Sequence, residues 1–198
     1  MKDWTGNKKS LSVTLGASNL TGQERAIGDY YATEPKAVRL LLSMEKFEGK
    51  IWECACGEGH LSKEIRRLGY EVYSTDIIDR GFGDRVFDFL SLENNKQTAM
   101  HILTNPPYRY ADEFIRKALS IATTGKKVAF FMPVRYLEGK ARKQLFLQAP
   151  PKVVYISSSR LKCARNGDFA HLSSSAVAYA WFVWEKAFQG TTTLQWFN

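Results

Sequence analysis

The chain is poor in the residues that hold small or exported proteins together. It has 3 cysteines, 3 histidines and 6 prolines in 198 residues. Cys54, Cys56 and Cys163 are an odd set, and Cys54-Ala55-Cys56 has neither the partners nor the spacing of a zinc site. A disulfide framework and a structural metal are therefore not expected. No apolar run approaches the roughly 18 residues that a membrane span needs. The N-terminus, Met1-Lys2-Asp3-Trp4, is charged at once and has no apolar segment of the secretory kind. The expectation is a cytoplasmic, reducing setting with free thiols and no membrane partner. Internal repeats and low-complexity tracts are absent as well.

What is present suits one packed domain. Hydrophobic residues make up 44% and aromatics 13%, enough for a full core. The formal net charge is +8, and a basic chain of this size is drawn to polyanions such as nucleic acid. Residues 1–25 are rich in Lys, Ser, Thr, Gly and Asn and read as a flexible arm. Residues 26–198 read as a single domain without a separate recognition domain. The sequence leaves the oligomeric state open.

Strand and helix signals alternate along that domain. Ala37, Val38, Leu40, Leu41 and Leu42 predict a helix with Pro35 near its first turn. Strands are expected at 51–55, 71–76, 101–104, 127–132, 152–156 and 176–184, with helices near 61–68, 111–123 and 137–147. Most of the strands are continuous apolar runs, which suit a parallel sheet buried on both faces. The class is α/β, doubly wound, with its ligand at the carboxyl ends of the strands near the switch point. Residues 157–175 show no clear helix and carry Arg160, Lys162, Arg165, Phe169 and His171 among serines. A long connection of this kind is commonly functional, and these residues are candidate substrate contacts.

Four constellations carry chemistry. In Glu53-Cys54-Ala55-Cys56-Gly57-Glu58-Gly59 a strand ends in a carboxylate and two glycines turn the chain into a helix. Glycines allow close backbone approach to a ligand. The third glycine of the dinucleotide fingerprint is missing, and Glu53 suits an ammonium better than a phosphate. Asp76 ends the next strand, where a carboxylate accepts from ribose hydroxyls. Asp79 is its competitor. Asp88-Phe89 pairs an acceptor with a ring. Asn105-Pro106-Pro107-Tyr108 follows an apolar strand. Two prolines remove two N–H donors, so Asn105 and a neighbouring carbonyl are free to accept from an amino group, and Tyr108 offers a stacking face.

These motifs resemble motifs I to IV of the S-adenosylmethionine (SAM)-dependent amino-methyltransferases, most of all the small phage- and restriction-type DNA N6-adenine enzymes. Asp29-Tyr30-Tyr31-Ala32-Thr33-Glu34-Pro35 resembles their motif X, and Ala178 to Glu185 is similar to their last strand. The resemblance covers residues 29–186 in the order of the gamma arrangement. It implies a Rossmann-like methyltransferase fold with a mostly parallel seven-stranded sheet and an antiparallel last strand. It implies SAM as cofactor, held by Tyr31, Thr33, Pro35, Glu53, Gly57, Gly59, Asp76, Asp88 and Phe89. Asn105 and the Pro106 carbonyl would accept from the target amine, next to Pro107, and Tyr108 would stack on a flipped-out adenine. Phe169 or His171 would face Tyr108 across that ring, and no metal is needed. A phage or mobile-element origin rests on the resemblance alone.

Two departures stand out. Thr33-Glu34-Pro35 replaces the family's usual Thr-Pro-Pro, and no large target-recognition domain follows the last strand. The nucleic-acid partner is expected to be DNA before RNA. Basic contacts are expected from Lys140, Arg142 and Lys143 as well as from the long connection. An RNA adenine methyltransferase, a protein glutamine methyltransferase and a catalytically idle SAM- or nucleic-acid-binding module remain alternatives.

Overall fold

A computed structural model describes residues 31–165, 169 and 177–197. The elements run β1 (Tyr31–Thr33), α1 (Pro35–Met44), β2 (Ile51–Glu53), α2 (His60–Arg67), β3 (Val72–Asp76) and β4 (Arg85–Val86). They continue with β5 (His101–Thr104), α3 (Ala111–Ile121), β6 (Lys127–Pro133), α4 (Lys140–Gln148), β7 (Val153–Ser157), β8 (Cys163–Arg165), β9 (Tyr179–Glu185) and β10 (Thr193–Phe197). The flexible arm expected at residues 1–25 lies outside the described residues, as does His171.

Local chemistry explains the helices. Pro35 opens α1, where a missing N–H costs nothing. Ala37, Val38 and Leu41 then turn one face inward. In α3 the acidic pair Asp112 and Glu113 sits in the first turn, the favourable end of the helix dipole. Ala111, Phe114, Ile115, Ala118 and Ile121 supply its buried stripe at helical spacing.

Eight strands form one sheet in the order β10-β7-β9-β6-β5-β2-β3-β4. Alternate residues of its central strands feed opposite cores, as the strand period of two requires. Ala129 and Phe131 of β6 join Leu41, Leu61 and Ile65 on one face. Val128, Phe130 and Met132 join Phe114, Ile115 and Leu145 on the other. Two indoles buried in these layers find acceptors: Trp181 Nε1 donates to the Ala37 carbonyl at 2.8 Å and Trp184 Nε1 to that of Ala149 at 2.9 Å.

The sheet differs from the expected seven strands. β9 is antiparallel to both β6 and β7, but it is not the last strand. β10 follows and adds to the outer edge of β7 in parallel. Four of its five residues are exposed, so it has no continuous apolar run to announce it. The long connection, in which the sequence shows no clear helix, holds a strand. β8 pairs antiparallel with β1, with Thr33 opposite Cys163, in a two-stranded ribbon apart from the main sheet.

Candidate active site

Beginning at β2, the chain builds outward through β3 and β4 on one side, then returns to β5 and β6 on the other. The crevice this leaves lies at the carboxyl ends of β2 and β5, the usual ligand position in such sheets. A cavity of about 580 Å³ opens there, and Glu53, Asp76, Asp88, Asn105 and Tyr108 all line it. Residues spread over 56 positions of the chain thus meet because each stands at, or just beyond, the end of a strand.

Glu53 is 2% exposed. Its carboxylate accepts from the Ser62 hydroxyl at the start of α2, and Ser62 continues to Ser74 Oγ at 2.6 Å. Burial pushes the carboxyl up to about 8, against an ordinary value of 4.5. Asp76 is anchored at both oxygens, by Gly57 N–H at 2.8 Å and Ile78 N–H at 3.0 Å. Each carboxylate oxygen has a second acceptor direction left for a hydroxyl. Asp88 is exposed and accepts from Leu90 N–H at 2.9 Å, capping a short 3-10 turn. Phe89, 1% exposed, packs edge-on against Trp52 at 5.3 Å and reaches the cavity from the core.

Asn105 follows β5 directly. Its Nδ2 donates to the Tyr31 carbonyl at 2.8 Å and to Thr33 Oγ1 at 2.9 Å. Its Oδ1 is buried and has no hydrogen-bond partner. An orphaned buried acceptor costs about 1–3 kcal/mol. Pro106, Pro107 and Tyr108 continue along the cavity wall. The Tyr108 hydroxyl lies 3.7 Å from Cys163 Sγ. Burial raises the phenol well above its ordinary range and the thiol to about 12, so both stay neutral at pH 7.

The β1–β8 ribbon brings the motif X segment to Asn105. Glu34, whose role the sequence left open, ties the ribbon down. Its Oε1 accepts from Lys162 N–H at 2.8 Å, and its own N–H donates to the Lys162 carbonyl at 3.1 Å.

Several expected residues stand elsewhere. Pro35, Gly57 and Gly59 are not among the cavity-lining residues. Pro35 starts α1 behind the ribbon. Gly57 acts through its N–H on Asp76. Gly59, at φ 81°, has the Phe82 ring where a Cβ would sit, 2.2 Å away. Lys162 contributes its backbone to the Glu34 clamp. Arg165 contributes its backbone to the ribbon opposite Tyr31, and Arg160 is exposed. Neither Arg160 nor Lys162 is a cavity-lining residue. The Phe169 ring meets His60, 5.6 Å away and edge-on, rather than Tyr108. Arg142 stacks on Tyr136 at 4.4 Å and bonds the Arg135 carbonyl at 3.3 Å; Lys140 and Lys143 are the exposed cations of α4.

Some of the cavity wall comes from residues not named as contacts from the sequence. Cys54, Ala55, Cys56 and His60 contribute to it, as do Ile77 and Ile78 just past Asp76. Ile77 is 62% exposed. Two isoleucines directly after an acidic strand end were the available signal. Among the described residues no group of His, Cys, Asp and Glu is placed to hold a metal ion, and no helix is long and apolar enough to cross a membrane.

No protein-family model and no curated protein sequence matches the chain. Solved structures do match. A Listeria monocytogenes protein provisionally described as a class I SAM-dependent methyltransferase superposes with a TM-score of 0.53 at 13% identity, over 94% of this chain and 71% of that one. A TehB-like SAM-dependent methyltransferase from Corynebacterium glutamicum gives 0.50 at 12% identity, over 90% and 97%. The fold is the class I methyltransferase fold. The modification subunit of a provisionally described type I restriction enzyme from Vibrio vulnificus has this methyltransferase fold as well, with a TM-score of 0.54 at 12% identity. The match covers 96% of this chain and 51% of the subunit, so the chain spans about half the subunit's length.

Proposed function

We propose that the chain is a SAM-dependent amino-methyltransferase acting on N6 of adenine in nucleic acid, DNA before RNA. One observation carries the reading: the buried, unpartnered Oδ1 of Asn105 at the end of β5. An acceptor in that state, beside a Pro-Pro-Tyr turn, matches an amino group that donates into it.

The cavity fits the cofactor. Glu53 suits a cationic ammonium, because an ionised carboxylate so deeply buried needs a positive partner. Asp76, fixed by two backbone N–H groups, suits a ribose diol. Ile77 and Phe89 offer apolar surface for a purine, and Asp88 an acceptor for its amino group. Tyr31 and Thr33 bound the same cavity. SAM, when bound, supplies a methyl group already activated on a sulfonium.

The chain's own residues then position and polarise. Asn105 Oδ1 and the Pro106 carbonyl engage the two hydrogens of the target amine, which draws the lone pair out of conjugation with the ring and frees it to attack. Tyr108 supports the ring. Fixed dipoles of this kind act without reorganising during the reaction, and orientation supplies the rest. In duplex DNA the adenine has to leave the stack first, at a cost of a few kcal/mol. Lys140 and Lys143, with Arg160 beyond the ribbon, are the cations that would track phosphates.

The test is direct. Protein incubated with isotope-labelled SAM and a mixture of duplex DNA, single-stranded DNA and RNA is digested to nucleosides, which are identified by mass spectrometry. Label in N6-methyladenosine, deoxy or ribo, is the expected result and separates DNA from RNA. SAM binding without any labelled nucleoside would overturn the nucleic-acid reading.

A further inference from the structure

A row of hydrogen bonds runs from the surface of α2 to the buried carboxylate of Glu53. Arg66 Nη2 lies 3.1 Å from the Val72 carbonyl, 3.1 Å from Asp84 Oδ2 and 3.2 Å from Ser74 Oγ. Ser74 Oγ lies 2.6 Å from Ser62 Oγ, and the Ser62 hydroxyl reaches Glu53 Oε2. Both serines are 0% exposed, so solvent does not compete for them.

Arg66 fixes the polarity of this row. A guanidinium donates and cannot accept. Ser74 therefore cannot aim its hydroxyl hydrogen at Arg66, and the other side chain on its oxygen is Ser62. The Ser74 hydrogen goes to Ser62 Oγ, and the Ser62 hydrogen goes on to Glu53. Every hydrogen points toward the acid. A protonated Glu53 that donated into Ser62 would reverse both serines and leave the Ser74 hydrogen facing a cation.

Arg66 is itself held in place. Its partner Asp84 also accepts from Ser74 N–H at 2.6 Å, and the guanidinium lies 5.5 Å from the centre of the Phe82 ring. The Arg66 side chain is 40% exposed, so water screens its charge and weakens its action through space. The serines carry its influence inward, because linked hydrogen bonds polarise one another.

We propose that Arg66 is a positioning residue for the cofactor: through Ser74 and Ser62 it orients the hydrogen bonds that end on Glu53 and keeps that carboxylate charged for an ammonium group. This rests on the reading of Glu53, under the proposed function, as the acid that meets the cofactor's ammonium. Burial opposes the charge most, and Asp76 of β3 repels it. The Cys54 and Cys56 thiols are pushed up by burial and stay neutral at pH 7, and burial pushes the His60 imidazole down. Ser62, by hydroxyl and backbone N–H, and the cation Arg66 favour the charged form.

Two readouts test it. The carboxyl carbon-13 signal of Glu53, assigned by its loss in Glu53→Gln, reports ionisation in the ligand-free protein. Calorimetry with S-adenosylhomocysteine from pH 6 to 9 reports the consequence for binding. Ser74→Ala cuts the row and leaves the Arg66 charge in place. It is expected to raise the Glu53 midpoint by about half to one pH unit and to weaken binding at pH 7 by about 3- to 10-fold. The deficit should shrink to about twofold by pH 9, where both proteins are largely ionised. Arg66→Gln, which can accept as well as donate, should shift the midpoint in the same direction, and Arg66→Lys should recover part of the shift. A midpoint unmoved in Ser74→Ala would overturn the relay, whatever Arg66→Gln does. A loss of affinity equal at every pH would overturn it too, in favour of packing alone. Midpoints that move as expected without a change in S-adenosylhomocysteine affinity would leave the relay standing and sink the reading of Glu53 as the ammonium's partner.

Discussion

Asn105 Nδ2 donates to the hydroxyl of Thr33 at 2.9 Å, across 72 positions of the chain. The bond joins the strand that opens the described chain to the turn after β5. It also decides which amide atom has a partner: the nitrogen is held by Thr33, and the buried oxygen has none.

Removing that oxygen should therefore stop transfer without emptying the cofactor site. Asn105→Ala is expected to lower kcat by about 100- to 1000-fold, the usual effect of deleting one preorganised polar group. S-adenosylhomocysteine affinity, read by calorimetry, should hardly change. Thr33→Val, which releases the amide but keeps the shape, should cost about tenfold in kcat, and Thr33→Ser should restore it. An equal loss of cofactor affinity in Asn105→Ala would place the residue in the wrong site.

The Glu53 carboxyl titrates at about 8 in the folded chain against 4.5 ordinarily. The folded state holds this proton more tightly than the unfolded one. Stability from this group is thus fully present below about pH 4.5 and is lost as pH rises towards 8. Binding a cationic cofactor requires the ionised form. Affinity for S-adenosylhomocysteine, whose ammonium supplies the charge, should then rise about tenfold per pH unit from 6 to 8 and level off above. Calorimetry in buffers of differing ionisation enthalpy should show a proton released on binding at pH 7. Glu53→Gln should abolish both the slope and the proton release, and a slope that survives the substitution would assign it to another group.

Gly59 has the Phe82 ring directly beside it. Its φ of 81° is left-handed, and an added Cβ would lie 2.2 Å from the Phe82 ring. Lys63 and Arg66 of α2 lie against that ring at 5.0 and 5.5 Å. Gly59→Ala should cost about 1–3 kcal/mol, a fall of several degrees in Tm by scanning calorimetry. Adding Phe82→Ala should recover the part due to the clash and leave the part due to backbone strain. No recovery would mean that strain is the whole effect.

Glu34 clamps the ribbon through the backbone of Lys162. Glu34→Ala should raise amide exchange at Thr33 and Cys163 by about tenfold, the value of one hydrogen bond, while global unfolding in urea stays nearly the same. Protection unchanged at both amides would show that the ribbon is held by something else.

The motif order was legible because each motif is local. An apolar run, a charged or amide residue at its end and a proline or glycine turn stand next to one another in the chain. Glu53, Asp76, Asp88, Asn105 and Tyr108 meet around one cavity because a parallel sheet carries its strand ends to a common edge. The glycines were read as shaping the cofactor loop; the structure adds that the Gly57 N–H holds Asp76 and that Phe82 stands beside Gly59. Nothing local announces that Phe82, more than twenty positions on, occupies the space beside Gly59.

The six apolar strands of the main sheet, the burial of both its faces and the set of polar groups at the strand ends were thus determined by the sequence itself. Periodicity and turn chemistry act over a few residues and suffice for them. The pairing of β1 with β8, the Glu34 clamp, the approach of Tyr31 to Tyr108 and the added strand β10 were decided only by tertiary structure. The ribbon strands have three residues each, too few to show a period. Thr193–Phe197 is mostly exposed and lacks an apolar run. Their partners lie far along the chain, and such contacts exist only once the sheet has brought its carboxyl ends together.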